Sequence, residues 1–183
     1  MPATYDYALG EDRSAIVKRM QAAMRQAITD AWDERDDGLP IASPEEMVIL
    51  ASIVEKETGL DGERHKVAGV FINRLRIGMK LQSDPTTIYA VTRGKGPLGR
   101  GLRRSELAKK DPYNTYHAAG LPPGPIANPG REALMAVAQP EATDALYFVA
   151  DGTGGHAFSK TLAEHNRNVK KWRAIEKKRK AAQ

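Results

Sequence analysis

The sequence contains no cysteine among its 183 residues. Disulfide frameworks, thiolate zinc sites and cysteine nucleophiles are therefore excluded. There is also no run of 18 apolar residues and no charged-then-apolar opening, so neither a membrane span nor a signal peptide is predicted. With 41% apolar and 28% charged residues, the composition excludes a mainly disordered chain. This length suits one domain of moderate size.

Charge is distributed unevenly along the chain, whose formal net charge is +5. Residues 1–46 carry 5 basic and 10 acidic side chains, whereas residues 160–183 carry 9 basic and 2 acidic ones. The basic end can attract a polyanion such as nucleic acid, an anionic cell-wall polymer or a membrane surface. The alternative is a solvated terminal helix, which the scarcity of aromatic residues in this segment favours.

Apolar residues recur at spacings of three and four along most of the chain, which predicts a mainly helical protein. Two short apolar and aromatic stretches flank Asp-Gly-Thr-Gly-Gly and predict one hairpin, formed by residues 146–150 and 156–158. The elements together indicate an α+β domain rather than an alternating βαβ chain. The predicted helices cover residues 11–35, the segment from Ser43 to near Gly59, and residues 63–77, 131–138 and 160–180.

The segment that follows Ser43 carries the strongest helix signal in the chain. Ser43 is predicted as the N-cap, Pro44 as the first helical residue, and Glu46 as the capping-box partner of the serine. Residues 47–54 are apolar on every side of the helix apart from one serine. A helix of that kind is expected to be buried at the centre of the protein.

Two carboxylates, Glu55 and Glu57, lie at the end of this predicted central helix. At 100° per residue, Glu57 falls within about 80° of the larger apolar side chains, those of Ile49, Leu50, Ile53 and Val54. Loss of hydration there, together with the helix C-terminus, should raise the pKa of Glu57 toward that of a proton donor near neutral pH. The alternative is that the glutamates form ion pairs with Lys56, Arg64 or Arg74.

Two polar clusters downstream have the composition of a sugar-binding cleft, which combines aromatic rings with amide and hydroxyl groups. The first comprises residues 82–87, Gln-Ser-Asp-Pro-Thr-Thr, and the second residues 113–116, Tyr-Asn-Thr-Tyr. The alternatives are an Asp-Pro turn with a helix cap and a loop packed by tyrosines. No metal site is predicted, because the histidines are too scattered: His65, His117, His156 and His165.

Several longer motifs occur in a fixed order. They are Ala51-Ser-Ile-Val-Glu-Lys-Glu-Thr58, Val70-Phe-Ile-Asn-Arg-Leu75, Leu81-Gln-Ser-Asp-Pro-Thr86, Tyr113-Asn-Thr-Tyr116, Gly120-Leu-Pro-Pro-Gly124 and Leu146-Tyr-Phe-Val-Ala-Asp151. In this combination the chain resembles the endolytic murein transglycosylases, the YceG-like family, from about residue 2 to residue 169. The resemblance implies a mainly helical, lysozyme-like transglycosylase domain with a small antiparallel hairpin.

The resemblance also implies a domain organisation. Residues 1–183 form a single catalytic domain, with a helical scaffold over 1–42, the motif-bearing core over 43–169 and a basic helix or tail over 170–183. Members of the family typically carry an N-terminal membrane helix and a LysM-like subdomain, which are expected to lie outside these residues. The full-length protein would then act on the extracytoplasmic, periplasmic face of the cytoplasmic membrane, and this part of it is expected to be soluble.

The implied reaction is a lyase reaction on peptidoglycan. It cleaves the bond between N-acetylmuramic acid and N-acetylglucosamine within glycan strands and leaves a 1,6-anhydromuramoyl end, in cell-wall assembly and strand termination. In lytic transglycosylases the catalytic glutamate precedes a serine or threonine, and Glu57-Thr58 fits that pattern. The predicted substrate-binding residues are Gln82, Ser83, Asp84, Thr86, Tyr113, Asn114, Thr115 and Tyr116, with Glu55 and Asn73 as second-rank candidates.

The expected partners are peptidoglycan strands and, through the resemblance, peptidoglycan synthases; no cofactor, metal or nucleic acid is expected. Two other functions remain open. One is a muramidase that admits water and leaves a reducing end. The other is a non-catalytic module that binds cell wall or nucleic acid through its basic tail and the basic loop that contains Arg93, Lys95, Arg100, Arg103 and Arg104.

Overall fold

The computed structural model describes residues 1–57 and 59–181, apart from the side chain of Asp61. A 3₁₀ turn, Asp61–Glu63, lies between the second and third helices. The helices are α1 (Arg13–Asp33), α2 (Pro44–Glu57), α3 (Arg64–Arg76), α4 (Asp84–Thr92), α5 (Arg104–Leu107), α6 (Arg131–Ala138) and α7 (Leu162–Ala181), and the strands are β1 (Tyr147–Ala150) and β2 (His156–Ser159).

The predicted class, a mainly helical α+β fold with one small antiparallel sheet, is confirmed. The five helices expected from apolar spacing all form, with ends that differ from the predicted ones by a few residues. The hairpin also forms where it was expected, with Phe148 opposite Phe158 in antiparallel register. Among the described residues, no helix is both long enough and apolar enough to cross a bilayer.

Helix α2 occupies the centre of the core, as its uniform apolar surface predicted. Its N-terminus has the expected cap: the Glu46 N–H donates to Ser43 Oγ (3.3 Å), while Glu46 Oε2 accepts from the Ala42 N–H (2.7 Å). Its buried residues are Met47, Leu50, Ala51, Ser52, Ile53 and Val54. Because these residues are buried, the position of the helix is fixed, and its C-terminal residue, Glu57, lies at the edge of the core.

Helices α1, α3 and α6 surround α2. Helix α6 contacts α1, α2 and α3. Small side chains allow this close packing, since Ala133, Ala136 and Ala138 of α6 are fully buried. Gly69 of α3 has the same function, because a Cβ atom there would lie 2.5 Å from the carbonyl oxygen of Glu141. The arrangement leaves the C-terminus of α2 and one face of α3 directed toward the hairpin.

Helix α4 was not predicted from the sequence, which indicated turn chemistry over residues 82–87. Its β-branched residues have low helix propensity and hide the pattern. Tertiary hydrogen bonds hold the helix instead: Thr86 Oγ1 pairs with Thr115 Oγ1 (2.8 Å), and Thr87 Oγ1 donates to Asn114 Oδ1 (2.9 Å). The alternative of an Asp-Pro turn with a helix cap was therefore nearer to the structure. The single-turn helix α5, at the end of the basic loop, was also not predicted from the sequence.

Helix α7 packs against both strands of the hairpin. Its first half contacts the sheet, where the Tyr147 and His165 rings stack with their centroids 5.2 Å apart. Its second half carries the basic residues and has no buried side chain. Residues 182 and 183, the end of the predicted basic tail, lie outside the described part of the chain. The prediction of a solvated terminal helix is confirmed for the basic part of α7.

Candidate active site

A cavity of about 420 Å³ lies between the C-terminus of α2, the N-terminus of α4, the hairpin and the first half of α7. Each element contributes for a local reason: α2 ends there, α4 begins there, and all four residues of β1 and the first residue of β2 line it. Polar and aromatic groups share the walls. The lining residues are Glu57, Arg74, Leu81, Gln82, Asp84, Tyr116, Tyr147, Phe148, Val149, Ala150, His156, Leu162, His165 and Val169.

Glu57 is one of two carboxyl groups in the wall of this cavity. Burial raises its pKa from the ordinary value of 4.5 to about 7, and the nearby negative charge of Asp84 adds to the increase. The Ser83 hydroxyl and the positive charges of His156 and Arg74 act in the opposite direction. The increase predicted from the apolar neighbours of Glu57 is thus found, with Asp84 as a contributor that the helical geometry did not indicate.

Asp84 and Tyr116 form one side of the cavity as a hydrogen-bonded pair. The Tyr116 hydroxyl donates to Asp84 Oδ1 at 2.6 Å. Burial and the two neighbouring carboxylates, those of Asp84 and Glu57, raise the pKa of Tyr116, so that the phenol keeps its proton. Because Asp84 is the first residue of α4, this bond fixes the helix N-terminus relative to Glu57.

The chain turns sharply at Gln82 before it enters α4. Gln82 has a φ of 48°, a left-handed conformation that residues other than glycine seldom adopt, and its N–H donates to the Thr115 carbonyl oxygen (3.2 Å). The turn brings Gln82 and Asp84 into the cavity wall and buries Ser83 between them. The Ser83 hydroxyl makes no hydrogen bond of standard geometry within the described residues, yet it lies near enough to Glu57 to lower the pKa of that carboxyl.

Arg74 is a buried cation that joins three parts of the site. Its Nε donates to the Leu146 carbonyl oxygen (2.6 Å) and its Nη1 to the Leu81 carbonyl oxygen (2.5 Å). The guanidinium also lies 5.4 Å from the centroid of the Tyr147 ring. Burial lowers the pKa of Arg74. The side chain thus ties α3 to the hairpin and to the segment that precedes Gln82.

Three predicted substrate ligands have no exposed surface in this structure. Thr86, Asn114 and Thr115 are fully buried. Asn114 Nδ2 donates to the carbonyl oxygens of Leu107 (2.9 Å) and Lys109 (2.8 Å), and the two threonines bond to each other. Direct contact with a glycan was expected for them; in this structure these side chains hold the two polar segments together and so position Asp84 and Tyr116.

The remaining candidates also lie apart from the cavity wall. The Tyr113 ring packs on Tyr89, with centroids 4.8 Å apart. Asn73 Nδ2 donates to the carbonyl oxygens of Thr143 and Ala145, at 2.8 and 3.2 Å. Glu55 Oε2 accepts from the Gly130 N–H at 3.0 Å. The second-rank candidates thus secure loops.

Several side chains that line the cavity were not predicted from the sequence. Arg74 was considered only as an ion-pair partner, and Tyr147 and Phe148 only as hairpin residues. His156 and His165 were dismissed because their spacing does not fit a metal site. The available signal was that Arg74 follows Val70 and Phe71 by four and three positions, on the apolar face of α3, where a buried cation requires partners. Within the described residues, no three histidine or acidic side chains are arranged to hold a metal ion.

The arrangement can transfer a proton near neutral pH. A carboxyl with a pKa of about 7 is a donor in one half of its titration and an acceptor in the other. Aromatic rings, an amide and a phenol surround it, which suits a neutral polar ligand with flat faces. Thr58, the second residue of the Glu-Thr pattern, lies outside the described residues.

Comparisons with known proteins identify relatives over most of the chain. It is 44% identical over 176 residues to a Bacillus subtilis (strain 168) protein named endolytic murein transglycosylase, a match to 93% of this chain and 46% of that protein. A protein of the same name from Streptococcus pneumoniae (strain D39) is 34% identical over 175 residues, with 92% of this chain and 30% of the relative covered. The chain spans half the length of these curated relatives or less.

The fold comparison agrees with the sequence comparison. The crystal structure of a YceG-like protein from Listeria monocytogenes aligns with a TM-score of 0.77 at 38% identity, over 91% of this chain and 53% of that chain. The model of the YceG-like family matches residues 1–171, which include every residue of the cavity wall. The chain therefore belongs to the YceG-like family.

Proposed function

We propose that this chain is the catalytic domain of an endolytic murein transglycosylase, a lyase that cleaves peptidoglycan strands internally. The observation that carries the proposal is the position of Glu57, a single carboxyl with a pKa of about 7 in a cavity of mixed polar and aromatic walls. The names of the Bacillus and Streptococcus relatives support the same substrate and reaction class.

In the proposed reaction Glu57 acts twice. Its protonated carboxyl first gives a proton to the glycosidic oxygen, as the bond from that oxygen to the muramoyl anomeric carbon breaks. The resulting carboxylate then takes the proton of the carbon-6 hydroxyl, whose oxygen bonds to the anomeric carbon and closes the 1,6-anhydro ring. No water is consumed, and Glu57 ends the cycle protonated. A general acid of this kind typically contributes about 10²–10⁴-fold.

The other groups of the cavity have supporting roles in this proposal. Positive charge develops on the sugar as the bond breaks, and the acetamido group of the substrate can stabilise it if it is held in position. Gln82 and the Tyr116–Asp84 pair supply polar atoms to the wall of the cavity that contains Glu57, which suits them to orient that group. Tyr147 and Phe148 offer apolar faces to a sugar ring.

The setting of the reaction is part of the same proposal. Residues 1–183 would act as one catalytic unit, whose buried apolar residues form one core cluster that includes α2 and α6. Action on peptidoglycan strands would place the domain on the extracytoplasmic face of the cytoplasmic membrane, beside the synthases that produce those strands. Release of a strand end with an anhydro ring would terminate glycan chains there.

Digestion of purified murein tests the function directly. Wild type is expected to release fragments with 1,6-anhydromuramoyl ends, identified by mass, and Glu57→Gln is expected to reduce this product at least about 100-fold. Glu55→Gln is the matched control: it changes the same residue type on the same helix, and an amide oxygen can still accept from the Gly130 N–H. Anhydro product at the wild-type rate from Glu57→Gln would refute the assignment of the acid.

A muramidase is the second candidate, and Asp84 is the observation that favours it. Most glycosidases use two carboxylates, and Asp84 supplies a second one in the same cavity as Glu57. Its product would carry a reducing end and would be heavier than the anhydro product by one water. Reducing ends as the initial product would select this alternative. Murein binding without any cleavage, weakened by salt, would instead indicate a non-catalytic module.

A further inference from the structure

Glu63 and His156 form a hydrogen-bonded pair that the proposed reaction does not yet use. Glu63 ends the 3₁₀ turn that follows α2, and His156 begins β2. Glu63 Oε2 lies 2.7 Å from Nδ1 of the ring, and Glu63 Oε1 accepts the backbone N–H of His156 at 2.9 Å. Both oxygens of one carboxylate thus hold the same residue, which fixes the position of the ring as well as the tautomer.

The residue before the histidine is adapted to this contact. A Cβ atom on Gly155 would lie 2.7 Å from Glu63 Oε1, closer than carbon and oxygen atoms approach without displacement. The Phe148 ring meets the imidazole edge to face, with centroids 5.3 Å apart. Glu63 and Phe148 therefore restrain the ring from two directions, and neither the backbone nor the side chain of His156 is free to rearrange.

The restrained ring belongs to the wall of the cavity that contains Glu57. Its second nitrogen, Nε2, has no hydrogen-bond partner within the described residues. A histidine whose Nδ1 is bound to a carboxylate can hold a second proton on Nε2, and it then carries a positive charge. That charge is attractive to a carboxylate in the same cavity, and the field of His156 favours the ionised form of Glu57.

We propose that Glu63 and His156 form a support pair for Glu57: Glu63 holds the His156 ring at the cavity wall, and the protonated ring stabilises the carboxylate that Glu57 becomes after it has donated its proton. This inference rests on the proposed function for its role in turnover, but the electrostatic relationship between the two side chains does not. His156 is a positioning residue here, since it acts through Glu57 rather than on a reacting atom.

Other charged groups face Glu57 from each element around it. Asp84 at the start of α4 opposes ionisation, whereas Arg74 on α3 favours it less strongly than His156 does. Tyr116 keeps its proton and contributes no charge. On α7, burial and the charge of Arg74 lower the pKa of His165, which favours the neutral ring near pH 7. His156 and Arg74 are therefore the two basic side chains whose positive charge favours the Glu57 carboxylate.

Removal of the His156 charge should make Glu57 harder to ionise. His156→Asn is the appropriate change, because the asparagine amide can still donate to Glu63 from the position of Nδ1 while the charge is lost. The pKa of Glu57 is then expected to rise by about 0.5 to 1 pH unit. Glu63→Gln removes the anchor of the ring together with a negative charge, which are two effects of opposite sign on Glu57, and His156→Asn is therefore the deciding variant.

The experiment is a carboxyl titration by nuclear magnetic resonance of the whole chain, with carbon-13 at the glutamate side-chain carboxyl and Glu57 assigned from its absence in Glu57→Gln. His165→Asn is the control, a second histidine of the same wall, and should leave the Glu57 midpoint in place. A midpoint in folded His156→Asn within about 0.2 units of wild type would overturn the proposal. If that variant does not fold, an unchanged midpoint in folded His156→Gln has the same consequence.

Turnover supplies an independent readout. In His156→Asn, the alkaline limb of the pH profile of kcat/KM on murein should move to higher pH, as the pKa of Glu57 does. If the histidine had a purely structural role, its loss would lower the rate without a change in the pH of this limb. A wild-type limb position in active His156→Asn would contradict the proposal. Absence of any product with wild type would refute the proposed function alone, because the carboxyl titration needs no substrate and still decides the support pair.

Discussion

The Tyr116 hydroxyl donates a 2.6 Å hydrogen bond to Asp84 Oδ1, and this bond joins two polar segments that are separated by 31 intervening positions in the chain. Next to this bond, the buried side chains of Asn114 and Thr115 form hydrogen bonds with Thr87 and Thr86 of α4. These buried hydrogen bonds hold Asp84 and Tyr116 in position. The negative charge of Asp84 therefore lies near Glu57, and the neutral Tyr116 hydroxyl stabilises that charge by donating a hydrogen bond to it. The acidity of Glu57 therefore depends on a residue that lies far from it in sequence.

Replacement of Asp84 by asparagine is expected to lower the pKa of Glu57. The negative charge that disfavours the Glu57 carboxylate is lost, while an amide oxygen can still accept from Tyr116. The alkaline limb of kcat/KM should move to lower pH, opposite to the change expected for His156→Asn. The pH profiles of kcat/KM for Asp84→Asn and His156→Asn on murein test this expectation. Asp144→Asn is the control, because Asp144 is exposed and its loss should not change the pH of the alkaline limb. An upward shift in Asp84→Asn would contradict the electrostatic account.

Glu57→Gln is expected to stabilise the fold at alkaline pH. The folded-state pKa of about 7 exceeds the ordinary value of 4.5, so ionisation of Glu57 costs folding stability as pH rises through this interval. The amide has no such cost. The variant should match wild type near pH 4 and exceed it by roughly 1 to 3 kcal/mol at pH 8, with the larger value reduced by water in the open cavity. Denaturant unfolding at both pH values measures the difference in the free energy of unfolding between the variant and wild type. An equal stabilisation at pH 4 and pH 8 would show that ionisation of Glu57 is not its source.

Loss of the Arg74 side chain is expected to destabilise the domain. Arg74→Met keeps the apolar stem but leaves the carbonyl oxygens of Leu81 and Leu146 without their donor, at a cost of about 2 to 4 kcal/mol. Urea unfolding measures the loss. Arg76→Met is the matched control, because Arg76 is exposed on the same helix and its removal should change stability by less than about 0.5 kcal/mol. Similar losses in both variants would refute the role of the buried contacts.

Asn114→Ala is expected to weaken the fold and to spare murein binding. The change removes the donor of three carbonyl oxygens, those of Glu106, Leu107 and Lys109, and should cost about 2 to 4 kcal/mol. At a temperature where the variant remains folded, sedimentation with murein should still detect binding, since the side chain reaches no cavity. Asn166→Ala, on the exposed face of α7, is the stability control. Lost binding in a folded variant would restore Asn114 as a substrate ligand.

Local sequence was sufficient where a structural signal involves residues within one or two helical turns. The Ser43 cap and the apolar surface of residues 47–54 predicted a buried α2, and the 100° period placed Glu57 rather than Glu55 among the larger apolar side chains. The two glutamates do differ in the way this predicts: Glu57 enters the cavity, and Glu55 binds the Gly130 N–H. Both facts depend on the direction of a side chain from one rigid helix.

Local sequence failed where partners come from distant segments. The helical state of α4 depends on hydrogen bonds to residues 114 and 115, which no propensity of the threonines themselves reveals. For the same reason Thr86, Asn114 and Thr115 were expected to bind substrate, although burial gives them a supporting role. A polar side chain has the same composition whether it faces a ligand or another polar side chain, and only packing distinguishes the two cases.

The sequence by itself determined the helical class, the central helix and the carboxyl at its end, because short-range periodicity and capping are properties of consecutive residues. The tertiary structure alone decided which charges surround that carboxyl: Asp84 from α4, Arg74 from α3 and His156 from the hairpin. Electrostatic energy depends on distance in space and on exclusion of water, and neither quantity is contained in the separation of residues along the chain.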